Sequence, residues 1–508
     1  MVYPVDNMVD FHFDLCVIGG GINGAGIARD AAGRGLSVLL VEAQDLAGGT
    51  SSASTKLVHG GLRYLEHFEF KMVHEALKER TILLRMAPHL VRRQDFVLPH
   101  EAHQRPLWMI RAGLFLYDHL GAGARKRILP RSRYVDLREG ALGEPLRSAY
   151  TDGFVYSDGW VDDSRLVVLN AVDAAARGAR VMTYTDCYRL EVQGGRWIVS
   201  LCDTKSGRTS RASVSMVVNA TGPWVGQFLA RMGLDEGDHD IPHLRLVKGS
   251  HIILPRQYAG EQAYILQQPD GRVVFAIPYE REYTLVGTTE EDYEGDPREA
   301  MASDAEVTYL CEAYNRAFEA SILPSDVLFT YSGVRPLFDD GHKTASAVTR
   351  DYRIYHHSRF APPLLSVFGG KLTTYRVVSE KVVDRLIALS ARNRPRWTVR
   401  EPLAGGDMPG RDFDVFVAAQ MERYPWLPEV LLRRYARAYC TRMDYFLYQC
   451  ARIRDLGVHY GDGVYDVEVA YLRHYEWAKS AEDVLWRRSK LGLHVSEKTV
   501  AALEKAFL

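Results

Sequence analysis

DLCVIGGGINGAGIARDAAGRGLSVLLVE, residues Asp14 to Glu42, decides the fold. The apolar run Leu15, Cys16, Val17 and Ile18 suits a buried parallel strand. It feeds Gly19, Gly21 and Gly24 in G-x-G-x-x-G spacing, then a helical pattern through Ile27 and Ala31. A second apolar run, Val38 to Val41, ends at the acid Glu42. In such a unit the first glycine permits the tight turn. The second lets a pyrophosphate approach the backbone, and the third lets helix and strand pack closely. The helix N-terminus turns N–H groups and a positive dipole end toward the phosphates. Glu42 is placed to accept hydrogen bonds from both hydroxyls of an adenosine ribose. Strand, turn, helix, second strand and terminal acid agree, which predicts a Rossmann-like dinucleotide site. They do not say which dinucleotide binds.

The chain of 508 residues is long enough for two or three domains. Its 47% hydrophobic and 25% charged content is that of a folded protein, and a net charge of −1 gives no reason to expect nucleic acid. The six cysteines are scattered without a C-x-x-C pair, which fits a reduced compartment better than a disulfide framework, and no metal-ligand set is read. The start, MVYPVDNMVDFHF, lacks the basic and apolar parts of a signal peptide. No apolar run has the length of a transmembrane helix. Residues 107–120, LWMIRAGLFLYDHL, are followed by Arg125, Lys126, Arg127, Arg131 and Arg133. This pattern fits a helix lying in a membrane interface, or equally a core helix followed by a solvated basic loop.

Downstream, Phe70 to Met86 and Asp162 to Gly178 read as helices, and 181–202 and 211–220 as strands. The run MVVNATGPW ends a buried strand in Ala220-Thr221-Gly222, a second place where backbone can approach a nucleotide. RLVKGSHIIL, VVFAIPY and YTLVGTT, within 245–290, predict an antiparallel sheet forming one wall of a pocket. The strand LLSVF, 364–368, meets Gly369-Gly370-Lys371 and then a helix. From about 400 the pattern becomes helical, after the linker-like EPLAGGDMPG. There Ser480 is a plausible N-cap for AEDVLWRRSKLG, with Gly492 as its stop.

Three features favour FAD over NAD. The fingerprint precedes any substrate domain. The segment Ser51 to Glu66, SSASTKLVHGGLRYLE, could wrap a second, bulkier nucleotide half. Gly369-Gly370-Lys371 puts a helix N-terminus and a cation where they would stabilise the negative edge of a reduced flavin.

These residues carry a resemblance. DLCVIGGGINGAGIARDAAGRG, SSASTKLVHGGLRYLE, YSDGWVDDSRLV, VNATGPW, VKGSHI, SGVRPL, TRDY, GGKLTTYR and EDVLWRRSKLG together resemble the FAD-dependent, respiratory, quinone-linked glycerol-3-phosphate dehydrogenases. The first and VNATG mark only the wider glycine-oxidase-like superfamily. The likeness spans about residues 14 to 492 and is least distinctive over 405–470. It implies an α/β fold with a Rossmann-like FAD-binding domain, an antiparallel-sheet substrate domain and a C-terminal α-helical domain. The FAD-dependent oxidoreductase region is expected over 1–400. Its FAD-binding parts fall at about 10–85, 155–240 and 330–395, and its substrate-binding parts at about 86–154 and 241–329. The helical domain is expected over 401–508.

The resemblance further implies oxidation of sn-glycerol 3-phosphate to dihydroxyacetone phosphate by hydride transfer to non-covalently bound FAD. A membrane quinone would take the electrons. The enzyme would be a homodimer in peripheral contact, through about 107–133, with the cytoplasmic face of the inner membrane. The cofactor residues it points to are Gly19, Gly21, Ile22, Asn23, Gly24 and Glu42 of the fingerprint; Ser51, Ser52, Thr55, Lys56, His59, Gly60, Gly61 and Leu62 of the following loop; Ala220, Thr221 and Gly222; and Gly369, Gly370, Lys371, Leu372 and Thr373. Substrate phosphate would fall to Arg63 and Arg350, whose planar forks bond two oxygens at once, with a hydroxyl from Tyr64. His251, Arg335 and Lys371 are the catalytic candidates. His251 is the preferred proton acceptor, because an imidazole ordinarily titrates near working pH, and the other two compete for that role. The alternatives are a glycerol-3-phosphate oxidase using oxygen, an amine or amino-acid oxidase of the same superfamily, and a flavin-binding regulatory protein. An amine substrate would leave the arginines without a phosphate to bind.

Overall fold

The fingerprint folds as β1 (Phe11–Ile18), α1 (Ile22–Gly33) and β2 (Val38–Val41) in a computed structural model of the chain. That structure describes residues 9–101, 104–120, 128–237, 240–338, 351–390 and 394–508, with the backbone alone at Arg63, Glu66 and His67. β1 and β2 pair in parallel, Leu15 opposite Val38 and Ile18 opposite Val41. The strand Thr209–Asn219 lies parallel on the other side of β1, and Leu364–Gly369 lies parallel beyond it. The main path of this eight-stranded sheet runs Tyr352–His356, Leu364–Gly369, Thr209–Asn219, β1, β2, Arg180–Met182. Strands buried on both faces need continuous apolar runs. Leu15, Cys16, Val17, Leu39, Leu40, Val217 and Val218 are all fully buried. α1, Asp163–Ala176 and Tyr375–Leu389 cover one face, packing Ile27, Ala31, Val167 and Val378 against Leu15 and Val17. Full burial of each large side chain here contributes about 1.5–3 kcal/mol.

The second sheet has ten strands and the antiparallel character expected for 245–290. At its centre Leu244–Pro255 pairs with Phe329–Phe338 on one side and Tyr283–Gly287 on the other. Val91–His100, Asp152–Val161 and the short Leu57–Val58 extend it. The loop that follows the fingerprint is therefore stitched into the second sheet.

The C-terminal region is helical, with Phe413–Arg423, Glu429–Tyr439, Asp466–Tyr475 and Glu497–Ala506 around a core of Leu432, Tyr435, Tyr439, Phe446 and Leu472. It also carries a two-stranded ladder, His459–Gly461 with Val464–Tyr465. Ser480 does accept a hydrogen bond from the Asp483 amide, at 3.2 Å. The helix stops at Arg488, with Ser489 extended, and not at Gly492 as its sequence predicts. Arg487 and Arg488 both turn onto Asp45, which fixes the chain direction there. Gly492 instead packs against the Trp486 ring. Among the described residues no helix is long and apolar enough to cross a membrane.

Candidate active site

Three glycine-marked turns, far apart in sequence, meet at one edge of the first sheet. Gly19, Ala220-Thr221-Gly222 and Gly369-Gly370-Lys371 each leave the carboxyl end of one of three adjacent parallel strands. In open α/β sheets that edge is where ligands bind. The Ala220 amide donates to Ile18 O at 2.8 Å. Gly19 has φ +110°, and a Cβ there would lie 2.5 Å from Ala220 O. A Cβ on Gly24 would lie 1.8 Å from Gly19 O, so this glycine serves helix–strand packing.

The turns border a cavity of about 960 Å³. Gly19, Gly21, Ile22, Asn23, Glu42, Ser51, Thr55, His59, Tyr64, Ala220, Thr221 and Gly222 line it, as do His251, Arg335, Gly369, Gly370, Lys371, Leu372 and Thr373. Glu42 is held from both sides: Oε2 accepts from the Gly20 amide at 2.6 Å and Oε1 from the Gln44 amide at 2.8 Å. Burial pushes its carboxyl above the usual range. Each oxygen keeps acceptor capacity for a ribose hydroxyl. Ser51 Oγ accepts from the Ile22 amide at 3.0 Å and so caps α1, whose N-cap Gly21 has no side chain to do it. Asn23 Nδ2 donates to Gly369 O at 3.4 Å, which ties the fingerprint to the downstream turn. A cavity with a carboxylate for a ribose, bare backbone for a pyrophosphate and cations at Lys371 and Arg335 fits FAD.

His251 stands on Leu244–Pro255 and is buried. Its Nε2 lies 2.9 Å from Thr55 Oγ1, and its ring stacks on Tyr331 at 4.7 Å. Register places His251 beside Tyr331 on one neighbouring strand and Gly287 on the other. The expectation of an imidazole titrating near working pH is corrected here. Burial first, then the Arg335 and Lys56 cations, holds it well below the usual range, so it is neutral. Arg335 Nη2 donates to Thr288 Oγ1 at 3.0 Å, and Nη1 lies 3.4 Å from Glu290 Oε1. The Lys371 ammonium sits 4.0 Å from the centroid of the Tyr64 ring.

The predicted set does not all reach the cavity wall. Lys56 turns away: its buried ammonium lies 2.7 Å from Asp163 Oδ2 and 2.5 Å from Ser52 O. Ser52, Gly60, Gly61 and Leu62 stand behind the lining, with the Gly60 amide donating to Tyr117 Oη at 2.8 Å. Arg350, and the side chain of Arg63, lie outside the described residues. Sequence reasoning missed Thr288 and Glu290, which hold Arg335, and Tyr331, which stacks on His251. Only the strand register could have found them.

Residues 14–376 match the family model described as FAD dependent oxidoreductase. The chain belongs to that family. Within this FAD-dependent family it is 48% identical over 483 residues to the aerobic glycerol-3-phosphate dehydrogenase of Escherichia coli, covering 94% of each chain. It is 47% identical over 494 residues to the D-erythritol 1-phosphate dehydrogenase of Brucella abortus, covering 97% of each. Among solved structures it is similar to the glycerol-3-phosphate dehydrogenase of Bacillus halodurans complexed with FAD. That match has a TM-score of 0.76 and 27% identity, over 98% of this chain and 92% of that one. FAD is thus the cofactor of this oxidoreductase, and the Rossmann-like reading of the fingerprint holds.

A second surface belongs to the helix Leu107–Leu120. Leu114 and Tyr117 face inward, where Tyr117 Oη donates to Asp158 at 2.7 Å. Trp108, Met109, Ala112, Phe115 and Leu116 face solvent, Trp108 at 70% and Phe115 at 58% exposure. Ser132 folds back to bond Asp118 Oδ2, which brings exposed Arg131 and Arg133 beside the helix. Arg125, Lys126 and Arg127 lie outside the described residues. The helix thus leaves large apolar side chains in water, with Arg111 and His119 exposed among them.

Proposed function

We propose that this chain oxidises the secondary alcohol of sn-glycerol 3-phosphate to the ketone of dihydroxyacetone phosphate. The observation that carries this reading is one cavity wall holding the dinucleotide turns together with neutral His251 and two cations, Arg335 and Lys371. When bound, FAD supplies the hydride acceptor. The chain's own residues bind, orient and move the proton. A base must start unprotonated, and His251 does. Burial is the first cause of its low pKa; a substrate dianion would offset the second, the Arg335 and Lys56 cations, and so raise its affinity for the hydroxyl proton. Arg335 would lie between the substrate and the flavin face, and Lys371 would hold negative charge near the Gly369–Gly370 turn. Phosphate recognition belongs to Arg63, Arg350 and the Tyr64 hydroxyl.

Electrons leave to a membrane quinone. The exposed apolar side of Leu107–Leu120 with Arg131 and Arg133 supports a peripheral contact with the cytoplasmic face of the inner membrane. A homodimer is the expected assembly. Product analysis tests the reaction: dihydroxyacetone phosphate should form in step with reduction of a quinone analogue, with little hydrogen peroxide. Peroxide in step with product would make the protein an oxidase. A second reading has its own support. Identity to a D-erythritol 1-phosphate dehydrogenase is as high as to a glycerol-3-phosphate dehydrogenase, so the four-carbon polyol phosphate is the rival substrate.

A further inference from the structure

The family-specific stretch DVLWRRSKLG is far from the cavity in sequence and takes no part in the reaction proposed above. Its side chains nevertheless reach the residues that support the cavity lining on two sides. Asp483 Oδ1 accepts from the hydroxyl of Tyr184 at 2.7 Å, and Tyr184 lines the cavity. Arg487 and Arg488 converge on buried Asp45 at 2.6 and 2.7 Å. Asp45 is the inward anchor of the loop whose Glu42, Gln44 and Gly48 face the cavity. Lys490 Nζ donates to Ser164 Oγ at 2.6 Å and lies 3.9 Å from Asp163 Oδ1. The other oxygen of Asp163 accepts from Lys56 Nζ and from Ser54 Oγ, both at 2.7 Å. Ser54 O in turn accepts from Tyr331 Oη at 2.8 Å, Tyr331 stacks on His251, and Thr55 bonds His251 directly.

We infer that Asp483–Lys490 is a positioning element through which the C-terminal domain sets the active site. Its Asp483, Arg487 and Arg488 hold the nucleotide-side wall through Tyr184 and Asp45. Its Lys490 holds the His251-bearing side through Asp163 and the Ser54–Lys56 loop. The chain of contacts is short, charged and buried, so it resists displacement. A misplacement of about 1 Å in a reacting group can slow catalysis by about 10²-fold.

The two ends of the element give different signatures in the FAD-loaded, full-length protein. Lys490→Met should bind FAD as the parent does, yet its limiting rate of anaerobic flavin reduction by sn-glycerol 3-phosphate should fall about tenfold or more. The half-saturating substrate concentration should move less than about threefold, and Lys490→Arg should recover most of the rate. Arg487→Met should instead raise the FAD dissociation constant, by about tenfold. If Lys490→Met does not fold, Ser164→Ala removes the hydroxyl that accepts from Lys490 and donates to Asp162 Oδ1 at 3.2 Å, and should slow reduction about threefold. Parent-like reduction by Lys490→Met, or by Ser164→Ala in its place, overturns the inference. So does a parallel loss of FAD binding and rate in both variants that simply follows their melting temperatures. The inference rests on the proposed reaction only for its reductant, and a parent protein that sn-glycerol 3-phosphate does not reduce counts against that reaction alone.

Discussion

Thr55 Oγ1 lies 2.9 Å from His251 Nε2, although 196 residues separate them. The contact joins the loop that follows the dinucleotide fingerprint to the strand that carries the proposed proton acceptor. It fixes the ring's orientation in the cavity lining, where burial first, then the Arg335 and Lys56 cations, keeps the imidazole neutral. His251→Gln should lower the rate of flavin reduction by about 10²–10⁴-fold, the usual contribution of a positioned acid–base group. Thr55→Val should cost about fivefold to tenfold, one hydrogen bond's worth. Stopped-flow reduction of both variants checks the order: a Thr55 effect larger than the His251 effect would remove His251 from the proton step.

Lys371 follows a turn of two positive-φ glycines, Gly369 and Gly370, and begins the run into the helix Tyr375–Leu389. Its ammonium over the Tyr64 ring brings a fixed positive charge to the carboxyl edge of the sheet. Lys371→Met should slow reduction by about 10²-fold, the scale on which a preorganised charge acts in a dry site. It should also lower the flavin's two-electron potential, which a redox titration would read. An unchanged potential would mean that Lys371 serves substrate binding only.

The outward side of Leu107–Leu120 should bind lipid. Burying an aromatic side chain contributes about 1.5–3 kcal/mol, so Trp108→Ser with Phe115→Ser should weaken partitioning onto vesicles by at least about tenfold. Arg131→Gln with Arg133→Gln should weaken it further on anionic vesicles and not on neutral ones, by about 1 kcal/mol per charge. Co-sedimentation with vesicles of each kind measures both effects. Equal partitioning of all variants would leave the apolar face without this role.

His89 is buried, and burial with the nearby Arg165 and Arg437 cations pushes its pKa down to about 3. In the unfolded chain an imidazole takes its proton near pH 6.5. Between those values the unfolded state holds a proton that the native state does not. Stability therefore falls as pH drops below about 6.5, by up to about 1.4 kcal/mol per pH unit from this group. His89→Gln should flatten the acid side of the melting-temperature profile. An unchanged slope would show that His89 does not govern it.

Much of this was legible in the sequence, because strand ends announce themselves locally. Gly19, Ala220-Thr221-Gly222 and Gly369-Gly370 each follow an apolar run, and parallel pairing of those runs brings the turns together without further information. His251 was legible as a polar residue set in a strand-like segment of the second sheet, and Arg335 only through the resemblance carried by SGVRPL. What was not legible depends on partners with no local mark. Lys56 falls among the expected cofactor residues until Asp163, 107 residues away, takes its ammonium. The pairing of Asp45 with Arg488 spans 443 residues, and it ends a helix that sequence alone extends to Gly492. The neutrality of His251 follows from burial beside Arg335 and Lys56, and no pattern in KGSHI encodes that.

The most direct test of the account is anaerobic. Purified, FAD-loaded protein is mixed with sn-glycerol 3-phosphate, and the visible flavin band is followed. Full bleaching is expected, with dihydroxyacetone phosphate formed in equal amount, no bleaching by glycerol, and bleaching slowed about 10²–10⁴-fold in His251→Gln. A band that persists with sn-glycerol 3-phosphate, while D-erythritol 1-phosphate or an amino acid bleaches it, would contradict the proposed substrate.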